Sequence, residues 1–158
     1  MRIAVYPGSF DPITNGHLDI LRRALSVFDK VIVLIAVNPK KKSVFSIEER
    51  IKIIKESIKV LKGAQVDSWE GLTVQYAKKV GATALIRGLR AVTDFEYEFQ
   101  LSAANTFADP EIETIFFMSR KETTFISSST IHELYSGGID ISSLVPPAVL
   151  KAYEEKKK

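Results

Sequence analysis

The hydrophobic and polar positions of the chain form short apolar segments that alternate with longer segments of helical periodicity. The short segments are rich in valine, isoleucine and aromatic residues, which is typical of buried strands. The predicted strands are Ile3–Tyr6, Val31–Val37, Ala64–Trp69, Ala84–Ile86 and Thr114–Met118. The longer segments repeat apolar residues at the spacing of an amphipathic helix. The predicted helices are Gly16–Phe28, Ile47–Leu61, Leu72–Val80 and Phe95–Phe107, with a last helix from Pro147 to the lysine-rich end.

Local signals mark two helix starts and decide one ambiguous stretch. Ser46 and Glu49 have the spacing of a capping box, in which each side chain satisfies the other residue's backbone N–H. Pro147 suits the first turn of a helix. The stretch Asp94–Phe99 alternates as a strand would, but its apolar residues also form i,i+4 pairs, and the alanines that follow favour a helix.

Near-continuous apolar strands separated by helices predict an α/β fold, because such strands are buried on both faces of a parallel sheet. We expect a doubly wound, Rossmann-like sheet of five parallel strands with helices on both faces. The chain has 158 residues and no linker rich in proline, glycine or serine, so a single domain over residues 1–158 is expected. Ligands of this fold bind beyond the carboxyl ends of the strands, where the strand order reverses. The loops at that edge are 7–16, 38–46, 70–73, 87–94 and 119–129.

Composition excludes several kinds of chemistry and partner. The chain has no cysteine, which excludes disulfides, thiol nucleophiles and thiolate metal sites, and its two histidines are too few for a three-histidine zinc site. The net charge of +3 is small, and three cations are the terminal lysines 156–158, so neither nucleic acid nor an anionic membrane is an expected partner. The longest apolar run, Val31–Val37, is far shorter than the ~20 residues of a membrane span. The N-terminal segment lacks the pattern of a signal peptide, which predicts a cytoplasmic protein.

The first loop, Pro7–His17, connects the first predicted strand to the first predicted helix. Such a junction offers unpaired backbone N–H groups and the positive end of a helix dipole, which together suit a phosphate. Gly8 and Gly16 would let the backbone approach a ligand closely. The loop is neither a Walker loop nor the three-glycine dinucleotide fingerprint. His17 would then face a bound anion; the alternative is an ordinary Gly/Pro turn with a surface histidine.

Three further loops carry groups that suit phosphate. Lys40–Lys42 follow a buried strand and supply charge, or form a solvated turn. Arg87 and Arg90 lie at the carboxyl end of another strand, where arginine suits phosphate oxygens, or they pair with the acidic residues of 94–98. Ser127–Ser129 precede a helical segment and either cap it or bind polyphosphate. Together the four loops predict a reaction at phosphorus, and none shows a Ser-His-Asp arrangement or the paired carboxylates of a glycosidase.

Two of these loops carry signatures of a known superfamily. Thr14–His17 resembles the T/H-x-G-H signature of the nucleotidylyltransferases, and Ile126–Ser129 resembles their I-S-S-S/T signature. The longer strings Tyr6–His17, Leu85–Glu98 and Phe125–Ser129 resemble the bacterial phosphopantetheine adenylyltransferase family, in motif order and over essentially the whole length. That resemblance implies transfer of an adenylyl group from ATP to 4′-phosphopantetheine, giving dephospho-coenzyme A and pyrophosphate, in the penultimate step of coenzyme A synthesis. It also implies Mg²⁺, held mainly by ATP phosphates and water, and a homohexamer built as a dimer of trimers.

The resemblance assigns roles to individual residues. The implied acceptor-binding residues are Ser9, Lys41, Thr73 and Arg87. The implied ATP-binding residues are Ser9, Phe10, His17, Gly88, Leu89, Arg90, Glu98, Thr123, Thr124, Phe125, Ile126, Ser127, Ser128 and Ser129. For catalysis, His17 is expected to stabilise the transition state, Lys41 to reduce repulsion between the reactants, and Arg90 to hold the β,γ end of ATP. Two positions depart from the family pattern: Ser9 replaces a commoner threonine, and His132, which stands where Arg or Lys is frequent, is left outside the site.

The expected mechanism needs no general base, because the acceptor is already a phosphate anion with a second pKa near 6. In-line attack on the α-phosphorus would depend on positioning and on electrostatic stabilisation. Two alternatives stay open from the sequence. One is an adenylyltransferase with another phosphorylated acceptor, such as nicotinamide mononucleotide or a phosphorylated sugar. The other is an ATP-binding module without catalysis.

Overall fold

Strands and helices alternate along the chain, as the apolar pattern predicts. The computed structural model describes residues 1–120 and 127–158, with the backbone alone at 92 and 93. The elements in chain order are β1 Ile3–Gly8, α1 Asn15–Leu25, β2 Lys30–Ala36, α2 Ile47–Ile58, β3 Ala64–Trp69, α3 Thr73–Lys79, β4 Ala84–Leu89, α4 Val92–Ala108, β5 Glu113–Met118, α5 Ser128–Ser136 and α6 Pro147–Lys157. Among these described helices, none combines the length and the apolar character that crossing a bilayer would require.

The five strands form one parallel sheet in the order β3-β2-β1-β4-β5. The predicted doubly wound, five-stranded parallel sheet is therefore confirmed. The order reverses between β1 and β4, which are neighbours although they are separate in the chain. In open α/β sheets this reversal is where ligands bind, because the connections on its two sides diverge and leave a crevice.

The two faces of the sheet bury separate apolar clusters. On one face the strand residues Ala4, Tyr6, Val33 and Ile86 belong to the cluster that α1, α2, α5 and α6 cover. On the other face, the cluster includes Val5, Ile32, Leu34 and Leu85 from the strands and Val74, Tyr76 and Ala77 from α3. Successive strand residues point to opposite faces, so Tyr6 lies on the α1 side, whereas Arg87 shares the α3 face with Leu85. Helix α4 leaves several large apolar side chains exposed: Phe95, Tyr97, Phe99 and Phe107.

Several element boundaries differ from the sequence prediction. Strand β4 does not end at Ile86 but continues through Leu89, so Arg87 and Gly88 lie in the strand and not in a loop after it. The reason is long-range: Arg87 pairs with Phe116 of β5, and the ladder runs on to Leu89 and Met118. Strand β1 likewise continues to Gly8, opposite Ile35 of β2.

The observed helix ends show which local sequence signals were sufficient to predict where a helix begins or ends. Ser46 and Glu49 form the predicted capping box of α2, and α6 begins at Pro147 as expected. The ambiguous stretch 94–99 is helical, and α4 begins about one turn earlier than predicted, at Val92. Helix α1 ends at Leu25, short of the predicted Phe28, and Ser26 is its C-cap.

Candidate active site

A cavity of about 360 Å³ opens at the carboxyl ends of β1 and β4, where the strand order reverses. Ten predicted site residues line it: Ser9, Phe10, His17, Arg87, Gly88, Arg90, Glu98, Ser127, Ser128 and Ser129. A larger groove of about 1030 Å³ lies between α1, α2 and α6, but its described lining includes no histidine and no predicted site residue. The smaller cavity is therefore the candidate active site, and the loops that line it come from separate parts of the chain.

The start of α1 determines the orientation of the His17 side chain. Thr14 is the N-cap, and its hydroxyl accepts a hydrogen bond from the His17 N–H at 3.3 Å. In return the imidazole Nδ1 of His17 accepts the Thr14 N–H at 3.0 Å, which completes a capping box with histidine in the place usually taken by glutamate or glutamine. Because Nδ1 is an acceptor, a neutral imidazole must carry its proton on Nε2. The ring thus offers one N–H donor.

The charge state of His17 agrees with that arrangement. Burial, together with the smaller effect of the nearby cations Arg90 and Arg87, lowers the pKa of His17 to about 4. The imidazole is therefore neutral near pH 7 and acts as a hydrogen-bond donor without a positive charge. The predicted position of His17 in the first turn of the helix is confirmed, whereas its tautomer could not be read from the sequence.

Aromatic packing shapes the loop that precedes α1. Phe10 has a φ of +45°, a left-handed conformation that is uncommon outside glycine. Its ring packs edge-on against Tyr6 at a centroid distance of 5.2 Å and against His17 at 4.9 Å. A β-carbon at Gly8 would lie 3.1 Å from the Phe10 ring. The structure thus shows that Gly8 makes room for Phe10, whereas the sequence suggested that it makes room for a ligand.

Two polar side chains, the partly buried Asp11 and the buried Arg50, tie this loop to the start of α2. The Asp11 carboxylate accepts the backbone N–H groups of Val44 at 2.7 Å and Phe45 at 2.8 Å. Arg50, which is 7% exposed, donates from Nη1 to the Ser9 carbonyl at 2.9 Å. Sequence reasoning missed both residues. The only available signal was Asp11 within the Phe-Asp-Pro part of the loop, since nothing in the sequence distinguishes Arg50 from a surface arginine.

Arg87 is held in place by an acidic partner on α4. Its Nε and Nη2 donate to the two carboxylate oxygens of Glu98 at 2.9 and 2.6 Å, and its Nη1 donates to the Pro7 carbonyl at 3.0 Å. Burial alone lowers the pKa of Arg87, but the hydrogen bonds and charge of Glu98 outweigh that effect and raise it. Glu98 is only 6% exposed, and its described hydrogen bonds are those with Arg87 at the edge of the cavity.

Arg90 has a similar partner one helical turn earlier on α4. Both its backbone N–H and its Nε lie 3.2 Å from the same oxygen of Asp94. The sequence left open whether the two arginines line a site or pair with acidic residues of 94–98. The structure shows both at once: each arginine lines the cavity and each has a carboxylate partner.

The serine segment begins helix α5 beside the cavity. Ser127 is the N-cap and accepts the Thr130 N–H at 3.1 Å, which confirms the capping interpretation. The Ser128 hydroxyl donates to the Pro12 carbonyl at 2.7 Å and so joins α5 to the first loop. The backbone N–H groups at this helix start are available to an anion. Four predicted ATP-binding residues lie outside the described residues: Thr123, Thr124, Phe125 and Ile126.

Three predicted site residues lie outside the described lining of the cavity. Lys41 is exposed on the loop after β2, Thr73 is the first residue of α3, and Leu89 is the buried last residue of β4. All three stand at the carboxyl ends of strands, hence at the same edge of the sheet. His132, which was left out of the site, packs against α6, with its Nδ1 3.3 Å from the Tyr153 hydroxyl.

The described residues do not fit a protein-built magnesium site. Within residues 1–120 and 127–158, no group of three or more histidine, aspartate or glutamate side chains is arranged to hold a metal ion. The two carboxylates that line the cavity, Asp94 and Glu98, each already accept hydrogen bonds from an arginine. Magnesium prefers oxygen ligands such as free carboxylates and phosphates. In this structure both of these carboxylates are engaged by an arginine.

Comparison with known proteins identifies the family. Residues 5–134 match the model of the cytidylyltransferase-like family. The chain is 49% identical over 156 residues to a phosphopantetheine adenylyltransferase from Desulfosudis oleivorans, covering 99% of this chain and 93% of the relative. It is 52% identical over 156 residues to the protein of that name from Desulfitobacterium hafniense strain Y51, covering 99% and 96%. The relative of that name from Caldanaerobacter subterraneus is 48% identical over 158 residues, covering 100% and 99%.

A solved structure supports the fold independently. A crystal structure from Vibrio parahaemolyticus, described as a nicotinate-nucleotide adenylyltransferase, superposes with a TM-score of 0.77 and covers 98% of this chain and 93% of its own. At 20% identity, that likeness concerns the fold alone. The family follows instead from relatives at about half identity over nearly full length, together with the signature residues gathered around one cavity. The chain belongs to the phosphopantetheine adenylyltransferase family of cytidylyltransferase-like proteins.

Proposed function

We propose that this chain transfers the adenylyl group of ATP to 4′-phosphopantetheine and releases pyrophosphate, with dephospho-coenzyme A as the other product. The relatives' shared name supports the acceptor, since they match this chain over nearly its whole length. The observation in the structure that carries the proposal is the neutral His17 imidazole, which lines the same cavity as Arg87 and Arg90. One uncharged donor beside two cations suits a reaction in which charge shifts between phosphate oxygens.

In the proposed reaction an oxygen of the acceptor phosphate attacks the α-phosphorus of ATP. A new P–O bond forms while the bond from the α-phosphorus to the bridging oxygen breaks, and pyrophosphate leaves with that electron pair. The attacking phosphate is already an anion, so no group has to remove a proton. His17 Nε2–H donates to a non-bridging oxygen of the α-phosphate, where negative charge builds up in the transition state. The low pKa means that His17 enters the reaction as a neutral ring, and a neutral imidazole keeps its Nε2 proton near pH 7, so His17 acts as a donor without transferring a proton.

Arg87 is proposed to hold the acceptor phosphate. A guanidinium has five N–H donors, and the described contacts of Arg87 use three of them. Two donors are left for phosphate oxygens, and the Glu98 carboxylate keeps the planar group in one orientation. Pre-set orientation lowers the entropic cost of binding. Glu98 thus contributes through Arg87 even without touching the nucleotide.

The other end of ATP is assigned to Arg90 and the start of α5. Arg90 lines the cavity and the N-terminal N–H groups of α5 open beside it, which gives a cation and a helix dipole for the β- and γ-phosphates. Lys41, on the exposed loop after β2, is proposed to reduce repulsion between the two anionic reactants. Thr73 at the start of α3 is proposed to contact the pantetheine arm.

Magnesium, assembly and location complete the proposal. Mg²⁺ is proposed to arrive with ATP, held by its phosphates and water, and to neutralise part of their charge. A homohexamer is proposed, and the exposed aromatic residues of α4 support burial of that helix between copies. The cytoplasm is the proposed location, since ATP is available there and the chain has no cysteine to form disulfides.

The test is pyrophosphate release by the purified protein with ATP and Mg²⁺. Parallel reactions contain 4′-phosphopantetheine, nicotinamide mononucleotide, a phosphorylated sugar, or no acceptor, and mass spectrometry identifies the nucleotide product. The proposal expects release with 4′-phosphopantetheine and formation of dephospho-coenzyme A. Faster release with another acceptor would contradict the assigned substrate, and ATP binding without release on any acceptor would contradict catalysis. Chelation of Mg²⁺ should abolish release, and light scattering should give about six times the 17.6 kDa chain mass.

A further inference from the structure

Tyr6 carries a hydroxyl that has no partner within the described protein. The residue is only 5% exposed, and its ring packs against Phe10 and His17. None of the hydrogen bonds among the described residues involves the Tyr6 hydroxyl. The hydroxyl must therefore find its hydrogen-bond partner outside the described protein, in water or in a ligand.

Tyr6 belongs to the lining of the active-site cavity. Among the described residues, only the hydroxyls of Thr114 and Tyr135 are completely buried without a hydrogen-bond partner. Tyr6 is not one of these two residues, and 5% of its surface is exposed. Since Tyr6 lines the cavity described above, the small exposed part of its side chain faces that space.

The surroundings of the Tyr6 ring are those of a phosphate site. Its edge-on contacts place it beside Phe10 and His17, with a centroid distance of 6.3 Å to the imidazole. Burial raises the pKa of Tyr6 well above its ordinary value, although the charges of Arg87 and Arg90 act in the opposite direction. The hydroxyl therefore keeps its proton at neutral pH and can donate it in a hydrogen bond.

We propose that the Tyr6 hydroxyl donates a hydrogen bond to a phosphate oxygen of a bound substrate, as a further substrate-contacting residue of the site. This inference rests on the proposed adenylyl transfer. A ligand phosphate supplies the acceptor that the described protein does not supply, next to the Nε2–H donor of His17. Tyr6 then serves the phosphates of the substrates and contributes nothing to recognition of adenine or of the pantetheine arm.

The test is Tyr6→Phe, which removes only the hydroxyl and keeps the ring that packs against Phe10 and His17. A hydrogen bond to a charged phosphate predicts a loss of about 10- to 100-fold in kcat/KM for ATP, for 4′-phosphopantetheine, or for both. Calorimetric titration should show weaker binding of ATP or 4′-phosphopantetheine, while adenosine and pantetheine, which lack phosphate, should bind as they do to the unmodified chain.

Tyr76→Phe is the matched control. The Tyr76 hydroxyl donates to Asp67 at 2.7 Å, on the opposite face of the sheet. Removing it should lower the thermal unfolding midpoint and leave kcat/KM unchanged. Tyr6→Phe should instead lower kcat/KM and leave the unfolding midpoint unchanged, because the Tyr6 hydroxyl has no described protein partner to lose. The two substitutions thus separate a ligand contact from a structural one.

Two results would overturn the inference. One is a loss in kcat/KM of less than about fivefold for both substrates in Tyr6→Phe, below the range expected of a charged hydrogen bond. The other is a drop in unfolding midpoint as large as that of Tyr76→Phe, since it would reveal a structural partner. Turnover of the unmodified chain is measured first. Its absence contradicts the proposed function, whereas normal turnover with an unaffected Tyr6→Phe variant contradicts only the role of Tyr6.

Discussion

Replacing His17 separates its role in capping α1 from its role as a donor to the substrate. The Thr14 N–H that donates to Nδ1 belongs to a residue only 1% exposed. His17→Ala leaves that N–H without a partner, which costs about 1–3 kcal/mol. In a chain of 158 residues, 1 kcal/mol corresponds to about 2–4 °C in Tm. His17→Asn places an amide oxygen near the position of Nδ1, so it should keep the hydrogen bond and most of the stability.

Both substitutions remove the Nε2–H donor and should therefore lose activity alike. Deleting one transition-state donor costs about 10²–10³ in turnover, or roughly 3–4 kcal/mol. His17→Gln is the third variant: its side chain can accept the Thr14 N–H as in an ordinary capping box, and its amide N–H extends toward the position of Nε2. We expect His17→Gln to retain more turnover than His17→Asn and to be about as stable, because both side chains offer an amide oxygen to the Thr14 N–H. The measurements are pyrophosphate release at saturating substrates and thermal unfolding followed by circular dichroism.

Particular combinations of results would refute this reasoning. Turnover of His17→Asn within about threefold of the unmodified chain would remove His17 from the reaction, because that loss is far below the scale of one donor. Equal destabilisation by His17→Asn and His17→Ala would show that the Nδ1 contact does not stabilise the helix start. A His17→Gln variant no more active than His17→Asn would show that a neutral donor at the Nε2 position is insufficient.

Four further predictions concern the same site and the loop beside it. In an NMR titration, the imidazole signals of His17 should have a midpoint near pH 4. At pH 5.5 the His17 ring should therefore be mostly neutral, whereas an unperturbed histidine would be about 90% protonated. A midpoint above pH 6 would contradict this prediction. Because the unfolded chain then binds more protons between about pH 4 and 6.5, the free energy of unfolding should rise with pH across that window, and less so in His17→Asn. Arg87→Ala should chiefly raise the KM for 4′-phosphopantetheine in steady-state kinetics, and an unchanged KM would assign Arg87 a structural role only. Asp11→Asn removes one of the two carboxylate oxygens that accept the Val44 and Phe45 N–H groups. It should lower the free energy of unfolding, measured by urea denaturation, by about 1–3 kcal/mol. The control Asp29→Asn affects an exposed hydrogen bond and should change that free energy little.

Local sequence signals were sufficient for the features that depend on neighbours in the chain. The apolar runs gave the strands, because a strand buried on both faces needs apolar residues throughout. The capping residues of α2 and α5 act within one turn and were read directly from Ser46 and Ser127. The position of His17 in the first turn of α1 followed in the same way. Grouping of four loops at one edge followed from the parallel sheet, whose strands all end on the same side.

Contacts between distant segments were beyond local signals. The end of β4 depends on pairing with β5, and the burial of Arg50 depends on the Ser9 carbonyl, 41 residues away. The sequence favoured two incompatible roles for Arg87, as a phosphate ligand or as an ion-pair partner. The structure allows both, because α4 docks so that Glu98 occupies only one side of the guanidinium. Such a geometry is set by the angle between a helix and a sheet, which no spacing in the sequence encodes.

The charges around the cavity explain why the orientation of hydrogen-bond donors matters more for phosphate binding than the net charge of the site. Among the described residues lining it, Arg87 and Arg90 are matched by Glu98 and Asp94, and His17 is neutral. A site with balanced charges does not bind phosphate by bulk attraction. In the proposed reaction its affinity would come from directed donors: the N–H groups of Arg87 that its described contacts leave unused, the N-terminus of α5 and Nε2–H of His17. Directed donors select one arrangement of two anionic substrates, and an in-line transfer between phosphates requires that arrangement.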